Sequence, residues 1–173
     1  FANYIEMTAH GTALFAAAGY PFTPGYEQAA VRFTPDGGLE IRVGVHSHGQ
    51  GMETSLAQIA NEILGIPVDR IAVVHGDTAL TPFSTGTYAS RSITMAGGAV
   101  ARACRRLQQR LATIAAHLLQ CQPDQVSLRN GRLHGPSGDI PVSEVAATWY
   151  AFPERLPAEV DTSGMEITEG FKP

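Results

Sequence analysis

A long seam of apolar side chains in the second half of the sequence constrains the fold most strongly. Its members recur at intervals of three and four: Val100, Ala103, Leu107, Leu111, Ile114 and Leu118. This spacing places them on one face of an α-helix. A helix with a continuous apolar face has to pack on a core, so the pattern predicts a long core-facing helix over residues 93–120. Four arginines cluster near the middle of this helix: Arg102, Arg105, Arg106 and Arg110. They are expected to form a solvated face, and binding of an acidic partner or cofactor group is the alternative.

Two earlier runs alternate between apolar and polar residues around a glycine-rich turn. Residues 28–34 and 39–45 each show the period of two, and Pro35-Asp36-Gly37-Gly38 separates them. Alternation on both sides of such a turn is typical of an antiparallel hairpin with one solvated face. We therefore predict a hairpin in this region.

The remaining elements are shorter. A medium helix is predicted over residues 52–64, ended by Gly65 and Pro67, and short strands over 71–75, 126–129 and 132–134. Ser143 is predicted to be the N-cap of a short helix that ends near Tyr150. The fold class is therefore α+β, with an antiparallel hairpin and short strands packed with one medium and one long helix.

Length and composition suit one domain with loosely attached ends. The 173 residues carry a formal net charge of −4 and are 44% hydrophobic. We predict an irregular N-terminal segment over 1–24, a folded body over 25–150, and a linker or connecting strand over 151–173. The sequence begins at Phe1 and is expected to be a piece of a larger protein.

The same composition argues against several classes of protein. Mild acidity and the absence of a long basic run argue against nucleic-acid binding. The apolar stretch 13–18 is too short to span a bilayer. Cys104 and Cys121 are too few for a disulfide scaffold, which favours reduced thiols and a cytoplasmic location. A periplasmic location stays open, because a signal could have been removed ahead of Phe1.

A glycine-rich loop lies between the predicted hairpin and the medium helix. Gly49-Gln50-Gly51 would let backbone approach a ligand, and the N–H groups of a helix start favour an anion. Ordinary turn chemistry is the alternative. Glu53 and Thr54, in the first helical turn, are expected to organise this loop. A dinucleotide site with Asp77 as its ribose-binding acid would need parallel strands around Gly49, whereas the preceding strand alternates.

A second polar loop precedes the long helix. Residues 81–92 contain six Ser and Thr hydroxyls, Tyr88, and one fixed cation, Arg91. Hydroxyls tied to their own backbone would explain one or two of them. Together with the helix start, the rest suit a pyrophosphate or another polyanion. Both loops therefore point to the same type of ligand.

Two stretches of the sequence resemble one enzyme family. GQGMETSLAQIANEILGIPVDRIAVVHGDT and STGTYASRS are similar to the molybdenum-binding large subunit of the xanthine dehydrogenase, aldehyde oxidase and carbon monoxide dehydrogenase family. The resemblance covers about residues 25–119 and implies part of a molybdopterin-binding domain. The cofactor contacts it implies are Gly49, Gln50, Gly51, Thr87, Tyr88, Ala89, Ser90, Arg91 and Ser92.

The resemblance also implies a chemistry and its partners. Family members hydroxylate a C–H carbon or oxidise carbon monoxide, with oxygen from water. They pass the electrons to iron–sulfur subunits or domains, with FAD ones as a further option. The substrate would be an aldehyde, a purine or other N-heterocycle, or CO, and molybdopterin could be present as a dinucleotide.

One departure from the family pattern limits what this chain can do alone. The family's general base is a glutamate in a Gly-Glu motif near the subunit's C-terminus, and none of the 16 acidic residues here matches it. The rest of the subunit would therefore be a partner, and the fragment alone would be inactive and hold molybdopterin poorly. Self-association through uncovered apolar surface is an option. The alternative function is a stand-alone binding or scaffold module.

Two other groupings of polar residues lie near these loops in the sequence. His46 and His48 could bind a metal together with His75, but no spacing demands such a site. His75 and Asp77 beside several serines could form a hydrolase triad, but the nucleophile-elbow motif is missing. Both options are disfavoured.

Overall fold

The structure is a computed structural model that describes residues 1–5, 8–9, 11–20, 25–158, 160 and 164–172. In chain order, its helices and strands are α1 Thr12–Ala17, β1 Glu27–Phe33, β2 Leu39–Val43, α2 Met52–Leu64, β3 Ile71–Val74, α3 Gly97–Leu118, β4 Ser127–Arg129, β5 Arg132–Gly135, β6 Gly138–Pro141, α4 Val142–Ala151 and β7 Glu166–Phe171.

The main sheet has four strands in the order β3-β2-β1-β7. Strands β1 and β2 pair antiparallel, with Val31 opposite Ile41, which confirms the predicted hairpin. Strand β3 joins β2 in parallel, and α2 is the crossover between them. The sheet is thus mixed, and the α+β prediction with one medium and one long helix is confirmed.

The core lies between this sheet and the two main helices. Helix α3 packs across β1 and β7, and α2 packs beside it. The predicted seam is the buried face of α3: its first five residues are completely buried, and Leu118 is half-buried. The hairpin contributes its inward residues, among them Val31 and Ile41, which are also completely buried. The apolar face of the helix, with its period of 3.6 residues, therefore packs on the apolar face of the strands, with their period of two, in one layer.

A second, three-stranded antiparallel sheet, β4-β5-β6, follows α3 in the chain. Strand β6 leads directly into α4, and this places the helix start two residues earlier than expected. The N-cap is Pro141, in extended conformation with φ −67° and ψ 146°, so the prediction of Ser143 as N-cap is wrong. Proline fits such a boundary because its fixed φ lies near −65° and it has no N–H to leave unpaired.

The long helix begins differently from the prediction. Residues Ser92–Ala96 form a π-helical turn, and regular α-helix follows from Gly97. Gly98 allows β7 to approach closely here, because a Cβ on it would lie 2.7 Å from the Phe171 ring. The chain leaves the helix through Gln120, which has a φ of 54°.

Strand β7 lies in the segment for which a linker or connecting strand was expected. It pairs antiparallel with β1 over its whole length, with Ile167 opposite Val31. Three of the four helix arginines meet it or the turn before it: Arg102 donates to the Gly170 carbonyl at 3.0 Å, Arg106 pairs with Glu169, and Arg110 donates to the Gly164 carbonyl. These three arginines therefore have partners within the chain. The side chains of Arg102 and Arg106 are nevertheless exposed to solvent, and so is that of Arg105.

Helices α1 and α4 are short, and neither they nor the other helices in the described part of the chain are long and apolar enough to cross a membrane.

Candidate functional site

The two loops singled out in the sequence face each other across one cleft. We call residues 46–51, after β2, the glycine loop, and residues 81–92, after β3, the hydroxyl loop. The cleft has a volume of about 540 Å³. Of the predicted site residues, those that line it are Gln50, Thr87, Tyr88, Ala89, Ser90, Arg91 and Ser92. Gly49 and Gly51 lie in the glycine loop beside it, and Thr8, His48, Met52, Ser55 and Ile93 complete the lining.

The glycines fit the glycine loop through their backbone conformation. Gly49 has a φ of 94° and Gly51 a φ of 74°, values at which other residues are strained. A Cβ on either would meet no atom within 4 Å, so the space over both residues is open. Gly51 is the N-cap of α2, a helix of 13 residues. The loop therefore presents bare backbone at a helix start, which suits an anionic group.

The side chain of Glu53 contacts the glycine loop. Its carboxylate accepts a hydrogen bond from the Ser47 hydroxyl at 2.9 Å and lies 3.0 Å from His75 Nε2. The pKa of Glu53 is lowered by its own backbone N–H, then by Ser47 and His75. Glu53 therefore organises this loop, while the side chain of Thr54 is exposed.

The histidines of this region are engaged with each other and with Glu53. His75 Nδ1 lies 3.0 Å from His46 Nδ1. Among the residues that the structure describes, no group of three His, Cys, Asp or Glu side chains could hold a metal ion. Asp77 instead accepts a hydrogen bond from the Ala79 N–H at 2.8 Å, so the acid beside His75 is Glu53. The triad of His75 and Asp77 does not form.

Several hydroxyls of the hydroxyl loop form hydrogen bonds within the chain. The Thr81 hydroxyl donates to the Asp77 carbonyl at 2.8 Å, and that of Thr87 to the His46 carbonyl at 2.7 Å. The Ser84 hydroxyl donates to Glu27 at 2.7 Å. Of these three hydroxyls, that of Thr81 bonds to nearby backbone, as expected for one or two of the six, whereas those of Thr87 and Ser84 bond to groups distant in sequence. Gln50 also folds back on its own loop, where its side-chain oxygen accepts the His48 N–H at 2.5 Å.

Arg91, the predicted fixed cation of the site, is 2% exposed. Its guanidinium donates to Glu27 at 2.7 Å, to the Gly86 carbonyl at 2.6 Å and to the Tyr26 carbonyl at 2.9 Å. No role was predicted for Glu27 from the sequence. Its signal was a lone carboxylate on the inward side of β1, in step with Ala29 and Val31.

The backbone of the hydroxyl loop is strained where it borders the cleft. Ala89 has a φ of 47° and Ser90 a φ of 52°, so two consecutive non-glycine residues are left-handed. Such residues are uncommon and concentrate at functional sites. Strain at this position supports the prediction that the loop serves a ligand.

Fold and cleft together define an α+β domain in which two loops, each leading into a helix, border one opening. Residues 3–172 match the family model described as "Molybdopterin cofactor-binding domain". The chain belongs to this family, as the resemblance implied.

Relatives and solved structures agree with this membership. The chain is 29% identical, over 97% of its length, to the nicotine 6-hydroxylase large subunit of Paenarthrobacter nicotinovorans. It is 33% identical, over 86% of its length, to the carbon monoxide dehydrogenase large chain of Hydrogenophaga pseudoflava. The crystal structure of quinoline 2-oxidoreductase from Pseudomonas putida 86 matches 97% of the chain with a TM-score of 0.85 and 30% identity. The chain spans 21%, 18% and 21% of these proteins, respectively, and is similar to part of a molybdenum hydroxylase subunit.

Proposed function

We propose that this chain supplies two loops of a molybdopterin site in a molybdenum hydroxylase. One observation carries the proposal: residues far apart in sequence, singled out as cofactor contacts, line a single cleft. Family membership supports the cofactor class, and the proposed contacts are the nine predicted residues of the glycine and hydroxyl loops.

The cleft fits such a cofactor chemically. Open space over Gly49 and Gly51 leaves room for a group that lies directly on backbone, where a Cβ would otherwise project. Hydroxyls and backbone N–H groups beside two helix starts suit the phosphate of a pterin cofactor, in its simple or dinucleotide form. The bound cofactor supplies two-electron oxidation of a small substrate with oxygen from water. The residues of this chain bind and orient it.

The reaction of the whole protein belongs to the same proposal. The substrate would be an aldehyde, a purine or other N-heterocycle, or CO. Electrons would leave to iron–sulfur subunits or domains, with FAD ones as a further option, and the location would be cytoplasmic. Since the chain spans about a fifth of its relatives, the rest of the subunit would be its first partner. Alone, it would be inactive and hold the cofactor poorly.

Metal and pterin analysis tests this proposal directly. The 173-residue chain and a longer reading frame that contains it would be purified from cells that make molybdopterin. We expect about one molybdenum and one pterin per protein for the longer protein and far less for the chain alone. Stoichiometric molybdenum in the chain alone would contradict the expected weak binding. No pterin in the longer protein would favour the stand-alone module and contradict the proposal.

A matched pair of variants tests the cleft itself. Gln50→Ala removes a side chain that lines the cleft, whereas Gln58→Ala removes the same side chain from an exposed position on α2. We expect lower pterin content in the longer protein with Gln50→Ala and wild-type content with Gln58→Ala. Equal content in both variants would place the cofactor elsewhere.

A further inference from the structure

A buried ion pair lies under the hydroxyl loop, where it joins the loop to the sheet. Glu27, the first residue of β1, is completely buried, and Arg91 is 2% exposed. The Arg91 guanidinium donates to the Glu27 carboxylate at 2.7 Å. The Ser84 hydroxyl donates to the same carboxylate oxygen at 2.7 Å. Glu27 therefore contacts both the first half and the end of the loop.

We propose that Glu27 and Arg91 are positioning residues that hold the hydroxyl loop in the conformation that binds the ligand. In this proposal the charge of Arg91 pairs with that of Glu27, and neutral hydrogen-bond donors bind the cofactor's phosphate. The proposal rests on the proposed function and assigns Arg91 a different role from that of a cation for the ligand.

The geometry of the Arg91 guanidinium supports a clamping role. Besides Glu27, it donates to the Gly86 carbonyl at 2.6 Å and to the Tyr26 carbonyl at 2.9 Å. It also lies 5.1 Å from the centre of the Tyr88 ring. These partners belong to the middle of the loop and to the entry of β1. A planar group with five donors can hold them together, whereas a lysine ammonium presents a single point of charge.

The loop has a conformation that needs such a clamp. Ala89 and Ser90 are both left-handed, with φ values of 47° and 52°, immediately before Arg91. Strained backbone persists only where surrounding contacts over-determine it. The Arg91 N–H also donates to the Tyr88 carbonyl at 3.1 Å, which closes a turn over the strained pair.

The charge distribution of the cleft follows from this pairing. Arg91 is the one Arg or Lys among the described residues that line the cleft. Since a buried carboxylate lies against it, its field toward the opening is largely cancelled. Backbone N–H groups at the start of α2 remain as donors for a phosphate.

Replacing the carboxylate distinguishes the two roles by the sign of the effect. If Arg91 were the ligand's cation, Glu27→Gln would free its charge and strengthen anion binding. If the pair is a clamp, the same change loosens the loop and weakens binding. Arg91→Lys separates the roles again, because it keeps the charge and loses the planar fork.

The experiment compares Glu27→Gln and Arg91→Lys with Glu40→Gln in the longer reading frame. Glu40 is a matched control, because it is a carboxylate on the neighbouring strand that pairs with Arg32 and Arg42 away from the cleft. Pterin and molybdenum content are measured together with hydrogen exchange of peptides that cover residues 84–92. We expect content to fall about tenfold in both test variants, which corresponds to about 1.4 kcal/mol of binding. Exchange in the loop should rise, while Glu40→Gln matches wild type.

Two results would contradict the role of the pair as a clamp. Wild-type or higher cofactor content in Glu27→Gln would overturn the clamp, and so would full content in Arg91→Lys. If Glu27→Gln does not fold because it leaves a buried guanidinium unpaired, Glu27→Asp replaces it. Aspartate keeps the charge but is shorter by one methylene, so it should fold and still lower the content. A longer wild-type protein without pterin contradicts the proposed function, whereas normal content in the variants contradicts only this inference.

Discussion

The hydroxyl of Thr87 is bonded twice to the backbone of His46. It accepts the His46 N–H at 2.8 Å and donates to the His46 carbonyl at 2.7 Å. The two residues are 41 positions apart in sequence. This pair of hydrogen bonds joins the hydroxyl loop to the start of the glycine loop.

Removing this hydroxyl is expected to weaken cofactor binding. Thr87→Val keeps the shape of the side chain and loses both hydrogen bonds, each worth about 0.5–1.5 kcal/mol. Cofactor content of the longer protein should fall about tenfold if both are lost, by the usual conversion of 1.4 kcal/mol. Thr87→Ser retains the hydroxyl and serves as the control. Wild-type pterin content in Thr87→Val would show that the cleft does not depend on this link.

Glu53 is expected to make stability depend on pH in the acid range. Its pKa is lowered from the ordinary value of 4.5 by its own backbone N–H, Ser47 and His75. A carboxylate with a lowered pKa stabilises the fold above its unfolded pKa, and this contribution is lost as the pH falls through the folded pKa.

Urea unfolding of wild type and Glu53→Gln at pH values from 7 to 3 measures this effect. Wild type should be the more stable protein at pH 7, and the difference should shrink below the ordinary value of 4.5. Glu62→Gln removes an exposed carboxylate from the same helix and is the control. A difference that stays constant down to pH 3 would contradict the role assigned to the carboxylate.

The two cysteines should differ strongly in reactivity. Cys104 is buried on α3, and burial raises its pKa to about 12, whereas Cys121 is partly exposed. Because the thiolate is the reactive form, iodoacetamide at pH 8 should modify Cys121 alone in the folded chain and both residues in denaturant. Peptide mass spectrometry reads out the sites. Equal modification rates in the folded protein would show that α3 is not packed as described.

Gly98 should tolerate a side chain poorly. A Cβ there would lie 2.7 Å from two atoms of the Phe171 ring, and overpacking typically costs about 1–3 kcal/mol. The neighbouring Gly97 is a matched control, because its Cβ would meet the flexible end of Ile59 at 2.9 Å. Alanine is the better helix former by about 1 kcal/mol. In urea unfolding, Gly98→Ala should therefore be less stable than Gly97→Ala. The reverse order would contradict the contact between α3 and β7.

Local patterns in the sequence predicted most of the fold. Helix α2 has the predicted bounds, and five of the six residues of the predicted seam are completely buried on α3. Short or weakly patterned elements were predicted less sharply, and for residues 151–173 a linker and a connecting strand both stayed open. Strand β7 combines Ile167 with a glycine and two glutamates, and only its pairing with β1 makes it a strand. The parallel pairing of β3 with β2 also depends on contacts distant in sequence.

The candidate site shows the same division. Two closely spaced glycines and a cluster of hydroxyls are local features of the sequence, and they predicted both loops. What each side chain does was decided by tertiary neighbours. Arg91 turns toward Glu27, 64 residues earlier, and Thr87 toward His46. Their roles could not be predicted because a sequence shows which groups can donate and accept, while burial and long-range pairing decide which of them meet. The sequence alone therefore determined the elements and the two loops, and the tertiary structure decided how one cleft is built from them.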